Sequence, residues 1–352
     1  MTPPAADWHL MVAGPLEQAS GGYLFDARIV AQLRQRAHRI TVHTLHGRFP
    51  QPDQDAEASL EHALSTLPDG ARVVLDGLCA GAQPEVIRRH AGRLRLIALV
   101  HHLLGDESGL PPEAARALLA LEQAQLQSCR GCIVTSRTTA DRVQALVGQS
   151  LPLRVVEPGT ERCAPAAPDP SGPPQLLCVG SVVPRKAQHV LVEALAQIAD
   201  LPWQCHCVGS LARDTAYADR VRDAIRAHGL ADRVLLHGEL TADAVAARYH
   251  NACVFVLPSL HEGYGMACTE AMMRGLPVIT TSAGALSRTI PEDAGLRVPP
   301  GDSTALADAL RQCLTSPALR QRLGTAARRH ALALPDWAQA ADHFADALEA
   351  LA

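Results

Sequence analysis

Short, unbroken apolar runs recur along the chain, each followed by a stretch with helical spacing. In the first half the runs are HLMVAG (9–14), RITVHTL (39–45), RVVLDG (72–77), RLIALVHH (95–102), GCIVTS (131–136) and LRVVEPG (153–159). Helical patterns lie between them, at 24–37, 84–91, 112–128 and 138–147. Strands that read as continuous apolar runs and alternate with helices predict parallel sheet covered on both faces. The alternation breaks at ERCAPAAPDPSGPPQ (161–175), whose five prolines and low apolar content mark a linker. It then restarts with QLLCVGS (175–181), WQCHCVGS (203–210), RVLLHG (233–238), CVFVLPS (253–259), PVITTS (277–282) and LRVP (296–299). The segment PDWAQAADHFADALEALA (335–352) predicts an amphipathic helix. The pattern therefore predicts an α/β chain with two doubly wound domains, residues 1–160 and 161–335, and a closing helix over 336–352. Such sheets bind ligands at the carboxyl ends of their strands, so two facing each other would form an interdomain cleft.

Composition narrows the class. The 352 residues suffice for about two domains. Residues 1–160 hold 15 arginines against 16 acids, and the formal net charge is −4, which argues against a nucleic-acid binder held by phosphate contacts. The opening MTPPAADWHLMVAG lacks a basic region followed by a long apolar run, so no targeting segment is expected. No run approaches the roughly 18 apolar residues of a membrane span. Ten cysteines are scattered through the chain. Most, such as Cys178, Cys205, Cys207 and Cys253, sit in apolar runs and are expected as buried thiols. Cys129 and Cys132 form a single CxxC with no second pair, which favours a structural role over zinc or redox chemistry. No GxGxxG follows any strand, which counts against a nicotinamide dehydrogenase.

Chemistry concentrates in PSLHEGYGMACTEAMMRGLPVITT (258–281). A strand ends at a Pro-Ser turn, and the loop His261–Gly265 carries two glycines that permit unusual φ and close ligand approach. A helix from about Met266 to Arg274 follows, stopped by Gly275 with Pro277 just beyond. The N–H groups that open this helix, around residues 265–267, favour an anion. Glu262 in the loop and Glu270 on the helix behind it can both face one ligand that carries a phosphate and several hydroxyls. Two isolated glutamates at that spacing would ordinarily be surface residues. The surrounding frame of strand, Gly-rich loop, helix, Gly, Pro and strand changes that reading.

Lys186, in GSVVPRKAQHVL (180–191), is the only lysine in the chain, against 31 arginines. It follows Arg185 at a helix start, where cations sit poorly unless an anion is present. A compact ammonium on a long stem approaches phosphate oxygens where a planar guanidinium does not fit. Elsewhere the signals are weaker. Gly21 and Gly22 lie between the first strand and a helix, where a plain tight turn explains them almost as well. His101 and His102 stand at a strand's carboxyl end, where structural and functional roles are about equally common. The Arg88-Arg89-His90, Arg93 and Arg95 cluster is expected as a solvated helix end rather than a lipid-binding patch, since aromatic anchors are absent.

EGYGMACTEAMMRGLPV resembles the E-x7-E signature of retaining glycosyltransferases of family 4, roughly EGFG…EAMA-G-PV, a family with the GT-B fold. The resemblance runs over most of the chain and is strongest from Leu176 to Thr281. It implies that Glu270 holds the ribose hydroxyls of a nucleotide sugar. Glu262 would lie near the donor sugar and its anomeric carbon. The amides of Gly263, Tyr264, Gly265 and Met266 would line the sugar and diphosphate. VGSVVPRKAQ resembles the family's VGR…KG element, which presents two cations to the diphosphate. Here Ser181 replaces the usual Arg and Ala187 the usual Gly, so Arg185 would supply the second charge beside Lys186. Gly22 would belong to the Gly-rich first loop. A strand-end His contacts the donor sugar; His101 or His102 can fill that place, with His101 preferred. HGEL (237–240) resembles the loop that touches the base through backbone groups, which puts Leu240 at the donor. Glu122 and Ser136 echo an architectural run, and Asp106 and Glu107 lie where an acceptor would be reached. Trp337 resembles the aromatic before a final helix that crosses back to the first domain.

Together these residues lead to the expectation of a GT-B, retaining, metal-independent hexosyltransferase. The donor would be a UDP- or GDP-linked sugar and the acceptor a hydroxyl on a glycan, a lipid-linked precursor or a small molecule. The product would be α-linked and belong to glycan, lipopolysaccharide or glycoconjugate biosynthesis. Neither cofactor nor metal is expected. The expected location is cytoplasmic, at the inner membrane face if the acceptor is lipid-linked. Sugar phosphorylase or sugar-nucleotide epimerase chemistry is the rival enzymatic reading, and a non-catalytic glycosyltransferase-like subunit the other. A degenerate subunit need not keep Glu262, Glu270 and Lys186 together.

Overall fold

The computed structural model describes residues 7–18 and 20–352. Met1–Ala6, and with them part of the opening stretch where no targeting segment is expected, lie outside the described residues. The chain divides into two compact units, one running to Gly159 and including Pro335–Ala352, the other Thr160–Leu334.

Among the described residues the first unit holds six parallel strands: β1 (Trp8–Ala13), β2 (Ile40–Leu45), β3 (Arg72–Asp76), β4 (Arg95–Val100), β5 (Gly131–Val134) and β6 (Leu153–Val155). Their order is β2-β1-β3-β4-β5-β6. The inner strands β3, β4 and β5 are buried almost throughout, which is why they read as runs of Val, Ile and Leu without alternation. β2 lies at the edge and mixes buried with exposed positions. The chain leaves β1 toward β2, then reverses to build β3 onward on the other side. The carboxyl ends of β1 and β3 therefore flank a switch point, the usual ligand position in such sheets. The first helix, Gly21–Gln35, starts there; Asp76 ends β3 and His101 follows β4.

The final helix, Trp337–Leu351, belongs to this first unit. Asp336 and Gln339 close its start with a reciprocal capping box. Trp337 and Phe344 pack their rings against Phe25 of the first helix at 6.3 and 6.1 Å. Gly159 admits this helix, since a Cβ there would lie 2.5 Å from the Trp337 backbone. Arg36 adds an ion pair to Asp342, and Arg72 one to Glu349.

The second unit has its own six parallel strands: β7 (Gln175–Val179), β8 (Gln204–Val208), β9 (Val234–Leu236), β10 (Val254–Leu257), β11 (Val278–Thr281) and β12 (Gly295–Val298). Their order, β12-β11-β10-β7-β8-β9, read from the other edge is 3-2-1-4-5-6, that of dinucleotide-binding sheets. Its switch point lies between β7 and β10. The proline-rich stretch that composition marks as a linker packs on the second unit. Ala166 and Ala167 donate backbone bonds to the Arg274 and His250 carbonyls at 2.8 Å each. Arg162 reaches the Ala331 carbonyl at 3.0 Å, and Arg328 reaches that of Cys163 at 3.1 Å. The prolines keep this stretch extended, and its remaining polar groups are satisfied by the second unit, so it forms a strap across that unit.

β7 and β8 both end in Val-Gly-Ser. A Cβ at Gly209 would lie 2.2 Å from the Gly180 carbonyl oxygen, so the second glycine sets how closely these two strand ends approach. Gly209→Ala should therefore cost about 2–3 kcal/mol of unfolding free energy by overpacking. Gly229→Ala, at positive φ but with no atom within 4 Å, should cost only about 1 kcal/mol. Urea unfolding of the two variants measures the difference, and equal losses would remove the role given to Gly209.

Candidate active site

The loops after β7 and β10, on either side of the second unit's switch point, bring Lys186, Arg185 and Glu262 together. Lys186 stands in a single 3-10 turn, Pro184–Lys186, after β7. Its Nζ donates to Glu262 Oε1 at 2.5 Å. Ser259 Oγ donates to the same oxygen at 2.6 Å. Arg185 Nη1 lies 3.5 Å from Glu262 Oε2 and donates to the His261 carbonyl at 2.9 Å. The Leu260 N–H in turn donates to the Arg185 carbonyl at 2.7 Å, which ties the two loops backbone to backbone. Glu262 is only 6% exposed. Burial alone would raise its carboxyl, but Lys186 and then Arg185 outweigh burial and hold it down at about 2. Glu262 is therefore a fixed carboxylate at neutral pH, unable to serve as a general acid.

Backbone packing fixes this carboxylate from behind. Ala285 donates its N–H to the Glu262 carbonyl at 2.8 Å, and a Cβ on Gly284 would lie 2.3 Å from that same oxygen. The Lys186 stem runs beside Gly180, where a Cβ would stand 3.2 Å from Lys186 Cε. Ala187, which stands where the resembling family has Gly, adopts φ +53° and is fully buried, so the left-handed turn is kept without the glycine. Gln188 donates Nε2 to the Ser181 carbonyl at 3.0 Å and holds the start of this loop.

The helix Met266–Met273 begins at Gly265, whose φ of +98° turns the chain from loop into helix. First-turn N–H groups have no earlier helical carbonyl to bond, so Met266 and Ala267 direct donors out of the helix start. Thr289 Oγ1 donates to the Tyr264 carbonyl at 2.8 Å. Glu270 is half-buried, and Tyr249 donates its hydroxyl to Glu270 Oε2 at 2.9 Å. Arg274 lies over the Tyr249 ring at 4.5 Å. Leu240 packs partly against the second unit's core, and the Gly209 N–H ties its loop to the end of β8 through the Gly238 carbonyl at 2.9 Å.

In the first unit, His101 meets two carboxylates that the sequence reading did not single out. Its Nε2 lies 3.2 Å from Asp26 Oδ1 and 3.5 Å from Asp76 Oδ2. Burial opposes its charge, but Asp26 and Asp76 overcome this and lift the imidazolium to about 10. Burial pushes Asp26 up to about 6 in spite of His101. Among the described residues, Asp26, Asp76 and His101 are the one trio with donor atoms all within 4.8 Å, the spacing that could hold a metal ion. The imidazolium already supplies the positive charge that two buried carboxylates need. Gly22 sits directly on this ring: a Cβ there would be 3.1 Å from His101 Cδ2.

The residues behind the weaker sequence readings have these surroundings. Asp106 is clamped by Arg142 through Nε and Nη2 at 2.8–3.1 Å, which holds its loop against the helix Arg137–Val147. His102 faces Glu107 at 3.4 Å. Glu122 accepts the Leu104 and Gly105 N–H groups, and burial raises it to about 7, in keeping with an architectural role. Ser136 caps the helix Arg137–Val147. Arg88 and Arg89 pair with Glu85 and Glu61, and Arg93 bonds the Leu64 and Leu67 carbonyls. Arg88, Arg89 and Arg93 thus have partners within the first unit, and no helix of the described residues is long and apolar enough to cross a membrane. Burial pushes the Cys129 thiol up to about 12 and Cys132 higher, so neither is primed for redox chemistry.

Known structures define the fold class. A sucrose-phosphate synthase from Thermosynechococcus elongatus aligns with a TM-score of 0.84 and 23% identity, covering 98% of this chain and 99% of that one. HepE of Anabaena, in complex with UDP and glucose, aligns with a TM-score of 0.77 and 18% identity, covering 98% and 99%. The fold is thus GT-B, two Rossmann-like domains with six parallel strands each. Residues 162–330, nearly all of the second unit, match the family "Glycosyl transferases group 1". A glycogen synthase of Mycobacterium tuberculosis is 29% identical over 265 residues, 73% of this chain. The match spans 63% of that relative's length, less than two thirds.

The Glu262 cluster has a measurable acid signature. A carboxyl at about 2 when folded and near 4.5 when unfolded adds stability that is fully present above pH 4.5 and lost as pH falls toward 2. The shift corresponds to roughly 3 kcal/mol. Glu262→Gln should flatten this part of the stability curve, measured as urea-unfolding free energy from pH 5 to pH 2. Parallel curves for the two proteins would mean that the pairing does not exist in solution.

Proposed function

We propose that the chain is a retaining, metal-independent glycosyltransferase of family 4 type. It would transfer a hexose from a UDP- or GDP-linked donor to a hydroxyl acceptor with α-linkage, in the synthesis of a glycan, lipopolysaccharide or other glycoconjugate. The observation that carries this reading is the cluster of two cations and one carboxylate at the switch point of a sheet with nucleotide-binding strand order. The group 1 family match over the same unit supports it, as does the UDP bound in the HepE structure.

The chemistry follows from charge. Breaking the bond between sugar and diphosphate places negative charge on the leaving phosphate. Lys186 and Arg185 stabilise that charge where it develops, and as preorganised groups they need little rearrangement. The open amides at the start of helix Met266–Met273 supply further donors. Glu262, always ionised, accepts hydrogen bonds from the donor sugar's hydroxyls and keeps the two cations in place. Both of its oxygens are engaged, which speaks against a covalent nucleophile. The departing diphosphate takes the acceptor's proton on the same face, so configuration at the anomeric carbon is retained. Glu270, oriented by Tyr249, receives the ribose hydroxyls. His101 contacts the donor sugar.

Thermal-shift measurements with UDP, GDP, ADP, dTDP and CMP test the donor site. A ligand at about 100 times its dissociation constant stabilises the fold by roughly 2.7 kcal/mol. One diphosphate should shift the wild type, and Lys186→Ala should abolish that shift while sparing the weaker binding of the nucleoside. Equal loss for diphosphate and nucleoside would remove the phosphate role. No shift with any nucleotide, and no nucleotide released from UDP- or GDP-sugars, would favour a non-catalytic subunit. Glu270→Ala should weaken ribonucleotide binding about tenfold by isothermal titration calorimetry, and unchanged affinity would rule out the ribose assignment.

A further inference from the structure

His101 is held from several sides. Asp26 of the first helix and Asp76 at the end of β3 are 3% and 5% exposed, and both aim an oxygen at His101 Nε2. Neither Asp26 Oδ1 nor His101 Nε2 makes an aligned hydrogen bond, and both atoms are sealed from solvent. Gly22 covers the adjacent Cδ2 atom, and Phe25 packs edge-on against the ring with centroids 5.3 Å apart. Thr135 and Thr139 donate to the His101 carbonyl at 3.3 Å each, which fixes the backbone. The side chain nevertheless keeps 19% exposure. Nε2 is sealed from solvent and Nδ1 is not, so part of that exposure falls on the Nδ1 edge.

We propose that Asp26 and Asp76 are positioning residues that lock His101 with Nε2 inward and present Nδ1–H outward as a hydrogen-bond donor to an oxygen of the substrate. The identity of that substrate, a nucleotide sugar, rests on the glycosyltransferase reading; the lock does not. An unclamped histidine near neutral pH exchanges tautomers and can offer an acceptor lone pair at either nitrogen. Two carboxylates at Nε2 remove that freedom and keep the ring cationic, so Nδ1 can only donate. The ligand atom opposite must be an acceptor: a hydroxyl or phosphate oxygen. The other groups around the ring do not compete for its proton. Burial and the two carboxylates push the Cys79 thiol well up, so it stays neutral. His102 faces Glu107. Trp337 and Phe344, behind Phe25, carry no charge.

The test uses Asp26→Asn and Asp76→Asn, which keep side-chain shape; the amide oxygen of the second variant would still accept the Leu78 N–H that Asp76 now caps. Histidine-ring NMR titration and steady-state kinetics with the NDP-sugar are measured on each. In the wild type the His101 ring should remain protonated from pH 6 to pH 9. Either variant should lower its titration midpoint by at least one pH unit. kcat/KM should fall about tenfold above the new midpoint and recover below it, while nucleoside diphosphate affinity stays within twofold. Asp26→Glu should restore part of the protonation. An unchanged titration in both variants overturns the proposal, as does a pH profile that does not move with it. A stoichiometric metal in the wild type that Asp26→Asn removes also overturns it. Should both variants fail to fold, the wild-type ring decides: a midpoint near 6.5 overturns the lock. If the ring behaves as expected but no NDP-sugar is turned over, the lock stands and the glycosyltransferase reading falls.

Discussion

A buried carboxylate must be matched by positive charge, and the second unit is arranged around that requirement at Glu262. Its side chain is almost sealed from water, where an unpaired ion would cost several kcal/mol. Lys186 answers it from 76 residues away, and Arg185 stands beside it. The two loops that carry these groups are bonded to each other through Leu260 and Arg185. The position of the cations is thus set before any ligand arrives. An anion placed near them meets charges already oriented, and the carboxylate prevents mutual repulsion from driving the two cations apart.

The same problem has a second solution in the first unit, with the signs exchanged. There two carboxylates surround one imidazolium. Both clusters lie at the carboxyl ends of strands beside a switch point, where diverging loops leave room for polar groups that a sheet interior would not accept. Both also depend on glycines that let backbone come close: Gly284 behind Glu262 and Gly22 over His101. Topology supplies the place, small residues supply the approach, and opposite charges hold the result.

Much of this was legible from the residues. The apolar runs marked the strands because parallel strands are buried on both faces, as β3, β4 and β10 are. Glu262, Glu270 and Gly265 could be read together because they lie in one loop and one helix. Lys186 stood out because it is the only lysine. Asp26 and Asp76 were missed because they meet His101 only through the sheet, from 75 and 25 residues away. A signal existed: Asp26 is an acid on the buried face of YLFDARIV, and Asp76 closes the apolar run RVVLD. The proline-rich stretch read as a linker, and its packing as a strap was not legible, because composition shows a lack of regular structure but not where the Ala166 and Ala167 amides find their acceptors.

The final helix has a consequence for how the molecule comes into being. The first unit is interrupted in sequence: 175 residues of the second unit, Thr160 to Leu334, are spelled out before Trp337 and Phe344 appear to cover Phe25. During synthesis the second unit is continuous and can complete its core as it leaves the ribosome. The first unit emerges earlier yet waits, with the aromatic face of its opening helix uncovered, until Trp337 and Phe344 are made. The part translated first is therefore finished after the second unit, and in that interval its uncovered apolar face is open to misassociation.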